Sequence, residues 1–296
     1  VHHHAIVTAG TGGIGLETAL GLAAAGFAVT VVGRDAGRGA RAVERITAAA
    51  PAHPARFLRA DLASLDEVRA LAARITAEHA VPGRPLKLLV NNVGAMFAER
   101  RDIGGVEASF VVNHLSPYLL TELLLPTLSR SAPSRIVNVT SGAAGVAKPV
   151  FDAAEPPGGY YGFHWYGRAK LANLAYTLDL AARLDGSGVS VFAADPGGAA
   201  TGMTTGTLDD PRMVSPGLRL LWPLVRRRFA RSTAGPASVA ARPSILAGTA
   251  AALDGRTGVV IGADRLPVAP FPASTQPHIA TAVRRLSERH APLTVF

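Results

Sequence analysis

Short apolar runs alternate with longer amphipathic stretches from one end of the chain to the other, and this rhythm limits the fold more than any single motif. The runs are HAIVT (4–8), AVTVV (28–32), ARFLRA (55–60), LKLLVN (86–91), RIVNVT (135–140), VSVFAA (189–194) and GVVIG (258–262). They are too short for helices and mostly apolar without alternation, as strands buried on both faces must be. Between them lie helical patterns at 14–25, 39–49, 64–79, 105–129, 165–184 and 236–249. Strand–helix alternation of this kind predicts an α/β fold: a doubly wound, Rossmann-type, seven-stranded parallel sheet with helices on both faces. In such a sheet the ligand lies beyond the carboxyl ends of the strands. The whole of 1–296 reads as one domain, a length able to bury a large core. Two stretches break the rhythm after strand ends, 142–165 and 201–235, and both are candidate walls of a substrate pocket.

Composition removes several function classes. Hydrophobic residues make up 48% and charged residues 17% of the chain, a globular balance. The net charge is +9, yet the cations are scattered arginines, with Lys87, Lys148 and Lys170 as the only lysines. A nucleic-acid reader would need a basic stripe with aromatic platforms or a groove-reading motif, and none is present. The clusters Arg226–Arg228 with Arg231, and Arg284–Arg285, read as solvated surface. No run approaches the roughly 20 apolar residues of a membrane span. With no cysteine there are no disulfides or thiolate metal sites, and His2–His4 on a strand would point alternately to opposite faces, unsuited to a metal. The expectation is a cytoplasmic, metal-free protein without membrane or nucleic-acid partners.

The stretch VTAGTGGIG, 7–15, follows the first strand and leads into a helix. That context suits a dinucleotide loop, in which Gly13 and Gly15 allow close backbone approach and the helix N-terminus faces a phosphate. Ala9 stands where the first glycine of such a loop is expected. If position 9 requires a left-handed backbone, alanine there costs about 1–2 kcal/mol, equivalent to roughly a tenfold loss in affinity. A second signal is YGRAK: on a helix, Tyr166 and Lys170 share one face, and an ammonium beside a phenol draws its pKa down from about 10. RIVNVTS ends the fifth strand with Ser141 at its tip. VNHLSPYLLT puts Asn113 in a helical stretch, LVNNVG closes the fourth strand, and DPGGAAT follows the sixth.

In this order and on these elements the motifs resemble the short-chain dehydrogenase/reductase family over nearly the whole chain. NHLSPYLLTELLLPTL, WYGRAKLANLAYTLDLAARL, the 24 residues between Ser141 and Tyr166 and the tail RRLSERH resemble its retinol-dehydrogenase-like branch, in a soluble, bacterial-type form without an N-terminal anchor. The resemblance implies that Tyr166 exchanges the proton with the carbonyl or alcohol oxygen, that Ser141 orients the carbonyl, and that Lys170 lowers the tyrosine pKa and holds the nicotinamide ribose. It implies that Asn113 holds a water linking Lys170 to solvent. The cofactor would be held by Gly10, Thr11, Gly13, Ile14 and Gly15 of the loop. Asp61 and Leu62 would flank the adenine, Asn92 and Gly94 line the cleft, and Pro196, Gly197 and Thr201 hold the carboxamide end.

Cofactor choice turns on VVGRDAGR. The tip of the second strand carries Gly33 and Arg34 in place of a carboxylate, and arginine is the natural partner of a 2′-phosphate. Asp35 comes late enough to cap the next helix instead. NADP(H) is therefore expected over NAD(H). Phe97, Val146, Phe151, Phe163, Trp165, Met203, Leu208, Leu221 and Trp222 predict a bulky, apolar carbonyl or alcohol substrate. The alternative is a natural-product tailoring enzyme of the same fold catalysing an imine reduction, dehydration or rearrangement. The resemblance also implies a homodimer or homotetramer, paired through 105–129 and 165–184 unless the 201–235 segment or the C-terminal tail blocks it.

Overall fold

A computed structural model describes residues 3–197, 213–215, 217 and 235–294. The apolar runs form strands β1 (His4–Val7), β2 (Ala28–Gly33), β3 (Arg56–Arg59) and β4 (Leu86–Asn91). After a small hairpin, β5 (Asp102–Ile103) with β6 (Val106–Glu107), come β7 (Ser134–Val139), β8 (Val189–Ala194), β9 (Val259–Ile261) and β10 (Pro267–Val268). The main sheet runs β3-β2-β1-β4-β7-β8-β9-β10. The seven expected strands are mutually parallel. An eighth, antiparallel to β9, closes the edge. At two residues and beginning with proline, it carries no apolar run by which to be read. Strand order reverses between β1 and β4, so a crevice opens there at the carboxyl ends.

Helices α1 (Gly13–Ala24), α2 (Ala36–Ala49) and α8 (Arg242–Thr249), with the short α7 (Ala237–Ala240), cover one face. On the other lie α3 (Leu65–Glu78), the turn α4 (Ala108–Phe110), α5 (Ser116–Arg130), α6 (Gly162–Arg183) and α9 (Pro277–His290). Caps fix several starts. Asp35 accepts from Arg38 N at 2.7 Å, starting α2 three residues before the apolar pattern suggests, and Ser64 accepts from Glu67 N at the start of α3. The stretch 105–129 is not one helix: a π-helical turn, Val111–Leu115, joins α4 to α5, the kind of irregularity frequent at functional sites.

Helix α6 departs from the amphipathic reading. Every residue from Trp165 to Thr177 is buried, because the sheet lies under it and α4, the π turn and α9 cover its other sides. α9 contributes Ile279, Val283 and Leu286 to that core, and Nε2 of buried His114 meets Ser287 Oγ at 2.7 Å. From Trp165 to Thr177 α6 is thus covered within the chain, while Ala182 and Arg183 at its end are exposed.

Candidate active site

The strand ends at the crevice are tied by polar side chains. Thr8 Oγ1 accepts from the backbone N–H groups of Asn92 (2.9 Å) and Val93 (3.2 Å), and Asn92 Nδ2 donates to Thr8 O at 3.1 Å. Gly10 donates its N–H to Val32 O across β2. Gly13 takes φ +52°, as only glycine does freely. At Gly15 a Cβ would lie 2.4 Å from both Ala9 O and Asn92 Nδ2, so the loop closes only without a side chain. No side chain caps α1, which leaves its first-turn N–H groups, over Gly13, Ile14 and Gly15, free to meet an anion. A glycine cradle and an uncapped twelve-residue helix fit the diphosphate of a dinucleotide.

Ala9 has φ +50°, so the left-handed backbone weighed from the sequence is what this position adopts. An alanine held there carries about 1–2 kcal/mol of backbone strain. Thr11 side-chain atoms cover Gly33. At the tip of β2, Arg34 is exposed and its carbonyl accepts from Arg59 Nε at 3.1 Å. The Arg38 guanidinium lies over Gly12, 2.5 Å from where a Cβ would stand. Asp35, spent on its helix cap, is held below its usual pKa by the Arg38 N–H. Asp61 accepts from Ala63 N at 3.0 Å, turning the chain after β3 beside buried Leu62. A hollow of about 460 Å³ opens next to Asp61, among Ser64, Ile103, Val111 and His290, away from the strand tips of β7 and β8.

Three of the four residues assigned to proton transfer converge at the ends of β7 and α6. Ser141 is extended and accepts from Ala143 N at 3.3 Å. Tyr166 is buried and lies in the second turn of α6. Lys170 Nζ stands 5.9 Å from the Tyr166 ring centroid and donates to Val139 O (2.9 Å) and Val93 O (3.4 Å). Burial pushes the phenol up to about 12, against a hydrogen bond with Ser141. Burial brings the ammonium down to about 8, against the attraction of Asp195. In this arrangement burial is the dominant influence on the phenol, and the ammonium is held by two backbone carbonyls.

Asn113 sits within the π turn and serves the backbone. Its Oδ1 accepts from Ala95 N at 3.0 Å, and its Nδ2 donates to Ala95 O (2.7 Å) and Ser109 O (2.8 Å). Its own carbonyl accepts from Asn173 Nδ2 at 3.0 Å. This staples the loop carrying Gly94 to the π turn. Both Nδ2 hydrogens and one lone pair of Oδ1 are used in this way, so the water-holding role given to Asn113 falls to the second lone pair of Oδ1 or of the main-chain carbonyl. Pro196 and Gly197 follow β8, Gly197 at φ +67°. Thr201, Met203, Leu208, Leu221 and Trp222 lie outside the described residues. Of the apolar residues named for the pocket, Phe97 and Phe163 are half-buried, Val146 is exposed, and Phe151 and Trp165 belong to the packed interior.

Some residues of the site escaped the sequence reading. Asp195 accepts from Gly197 N at 2.9 Å; burial raises its pKa, opposed by Gly197 and Lys170, and its charge acts on both Lys170 and Tyr166. Its signal was an acid at the tip of an apolar strand. A buried chain of bonds joins β4, β7 and α6: Asn91 Nδ2 donates to Asn138 Oδ1 (2.8 Å), Asn138 Nδ2 to Thr177 Oγ1 (2.9 Å), and Thr177 Oγ1 to Asn173 O (2.7 Å). Asparagines interrupting two apolar strands were the available clue.

Comparison with known proteins agrees with this arrangement. The short chain dehydrogenase family matches residues 3–212. Mouse retinol dehydrogenase 12 is 38% identical over 193 residues, covering 65% of this chain and 60% of the relative. Mouse polyprenol dehydrogenase is 41% identical over 202 residues, covering 65% and 58%. The chain thus matches about three fifths of the length of these relatives. Among solved structures, an uncharacterised protein from Mycobacterium paratuberculosis superposes with a TM-score of 0.73 at 26% identity, covering 98% of this chain and 93% of the other. The Pseudomonas aeruginosa RhlG/NADP active-site complex gives 0.67 at 29% identity, covering 88% and 94%. The chain belongs to the short-chain dehydrogenase family, whose members are oxidoreductases that use nicotinamide cofactors.

Proposed function

We propose that this protein is an NADP(H)-dependent oxidoreductase that interconverts a ketone or aldehyde and an alcohol on a bulky, mostly apolar small molecule. The observation that carries the reading is a buried phenol, Tyr166, beside Ser141 and Lys170, at the same sheet edge as a glycine cradle. The cofactor supplies or accepts the hydride. The chain's residues do the rest. Gly13, Ile14 and Gly15 offer N–H groups to its diphosphate, Asp61 and Leu62 flank the adenine, and Pro196 and Gly197 border the carboxamide end. Ser141 donates a hydrogen bond to the substrate oxygen. Tyr166, protonated across the neutral range because burial holds its pKa near 12, gives its proton to that oxygen during reduction. Lys170 holds the ribose and brings positive charge toward the phenolate that remains.

The NADP(H) preference rests on Arg34, Arg38 and Arg59, gathered round the tip of β2 and Gly12, with Asp35 turned to its helix cap. The neighbour solved as an NADP complex supports it. An apolar alcohol or carbonyl substrate is supported by relatives named for retinol and polyprenol. The test is Tyr166→Phe, assayed with NADPH against a panel of apolar ketones and aldehydes at the nicotinamide absorbance. Turnover is expected to fall at least about 100-fold with NADPH binding retained. Normal turnover in the variant would remove Tyr166 from the chemistry.

A further inference from the structure

His114 is buried in the π turn, next to Asn113, and neither the phosphate cradle nor the proton transfer uses it. On α9, Ser287 Oγ donates its own hydrogen to Val283 O at 2.7 Å. Its lone pairs are therefore what His114 Nε2 meets at 2.7 Å, so the imidazole carries its hydrogen on Nε2 and donates it. Nδ1 is then an acceptor, and it has no hydrogen-bond partner among the described residues. Phe110, Tyr118 and Tyr176 close round the ring, with centroids 4.9, 6.2 and 6.2 Å away. Burial, aided by the charge of Arg168, brings the imidazole down to about 3, so it stays neutral. A leucine would suit these apolar surroundings without leaving a buried nitrogen unsatisfied. What the histidine adds is its one bond to α9.

The same turn holds the loop that follows β4. Pro117 has no N–H to give to the Asn113 carbonyl four residues back, and that carbonyl takes Asn173 Nδ2 of α6 instead. The Asn113 side chain bonds both N and O of Ala95. From Ala95 the contacts run on to Lys170 and to the glycine cradle. Val93 O accepts from Lys170 Nζ, and the N–H groups of Asn92 and Val93 donate to Thr8 Oγ1. Asn92 Nδ2 fills the space that a Cβ on Gly15 would need. Two neighbouring side chains of the π turn are thus tied to different elements, His114 to α9 and Asn113 to Ala95. Drawing the turn back to a regular α-helix would rotate one of its ends against the other by about 100°, so the two ties together fix its register.

We propose that His114 is a positioning residue: by holding the π turn to Ser287 it keeps Asn113 on Ala95, and so makes the C-terminal helix α9 a working part of the cofactor site. The inference rests on the NADP(H) reading above for its effect on cofactor binding, and on geometry alone for the coupling of α9 to the 92–95 loop. Such coupling is reciprocal. If α9 helps the loop to hold NADPH, bound NADPH must hold α9 in return.

The test uses Ser287→Ala, His114→Leu and His114→Gln in the full chain. Ile279→Ala serves as a control that thins the packing of α9 and leaves the bond in place. Hydrogen exchange is followed by mass spectrometry without ligand, and NADPH binding is measured by titration. In Ser287→Ala and His114→Leu, exchange in 92–97 and 109–116 should quicken by about tenfold or more, and Kd for NADPH should rise about five- to tenfold. His114→Gln offers an Nε2 donor in place of the imidazole's and should lie between these variants and wild type. Ile279→Ala should quicken exchange in α9 while leaving 92–97 and Kd within about twofold of wild type. In the wild type, added NADPH should slow exchange across 279–290, and Ser287→Ala should abolish that slowing. Unchanged exchange in 92–97 in Ser287→Ala would overturn the proposal. So would an equal loosening of 92–97 in Ile279→Ala, which would make the effect one of general packing. If the wild type binds no NADPH, the cofactor reading fails, and exchange in the ligand-free chain still decides whether His114 couples α9 to the loop.

Discussion

Lys170 makes the proposed proton-transfer site expensive to fold, and replacing it should show the cost as a pH effect. The residue is 2% exposed, and burial lowers the ammonium's pKa from 10.5 to about 8. Below pH 8 both folded and unfolded chains hold the proton, and the folded state bears the full penalty. Between about 8 and 10.5 the folded chain has released the proton while the unfolded chain keeps it, so unfolding takes one up and stability rises with pH. At 1.36 kcal/mol per unit, the shift corresponds to about 3 kcal/mol, of which about 2–3 kcal/mol is recovered between pH 7 and 10. Lys170→Met abolishes this titration. It also strips a donor from the Val139 and Val93 carbonyls, but that loss is the same at every pH. The informative quantity is therefore the wild-type minus variant difference, from denaturant unfolding at pH 7, 8, 9 and 10. The wild type should gain about 2–3 kcal/mol on the variant across that range, or about 4 °C in Tm for a chain this long. Tyr166, raised to about 12, titrates with the opposite sign above pH 10 and is common to both proteins. Parallel stability curves would refute the reasoning, because they would mean the ammonium is ionised as easily folded as unfolded.

Three further substitutions test the cofactor cleft. Ala9→Gly relieves about 1–2 kcal/mol of left-handed strain and returns about 0.4–1 kcal/mol to the more flexible unfolded chain. Calorimetry should thus show stability unchanged to about 1.5 kcal/mol higher, and titration an NADPH affinity within about twofold of wild type. A tenfold tightening would show that the φ of +50° is imposed by the ligand. Arg34→Ala and Arg38→Ala should each weaken kcat/KM for NADPH by up to about fivefold, as exposed charge pairs do, with the NADH value unchanged; equal use of NADH and NADPH by the wild type would remove the 2′-phosphate argument.

The sequence alone determined the strand–helix order, because continuous apolar strands have no stable place except between two helical layers. It also determined the places of Ser141, Tyr166 and Lys170, since a strand tip and a four-residue helical spacing are local geometry. Asp35 as a cap was legible for the same reason. Tertiary structure decided what depends on neighbours remote in sequence. The φ of Ala9 follows from the close approach of Gly15 and Asn92. The pKa values of Tyr166 and Lys170 follow from burial beneath elements that the YGRAK motif does not contain. Asn113 became a staple for the Gly94 loop because a π turn aims it at Ala95. α6, read as amphipathic, is buried all round from Trp165 to Thr177 because elements remote in sequence, α9 among them, cover it. The YGRAK motif says nothing of what Arg168 meets; only the folded chain brings three carbonyls of another segment to its guanidinium. Local spacing can place a functional group, whereas its charge state, its partners and the wall it faces are set by packing, which no single stretch of chain encodes.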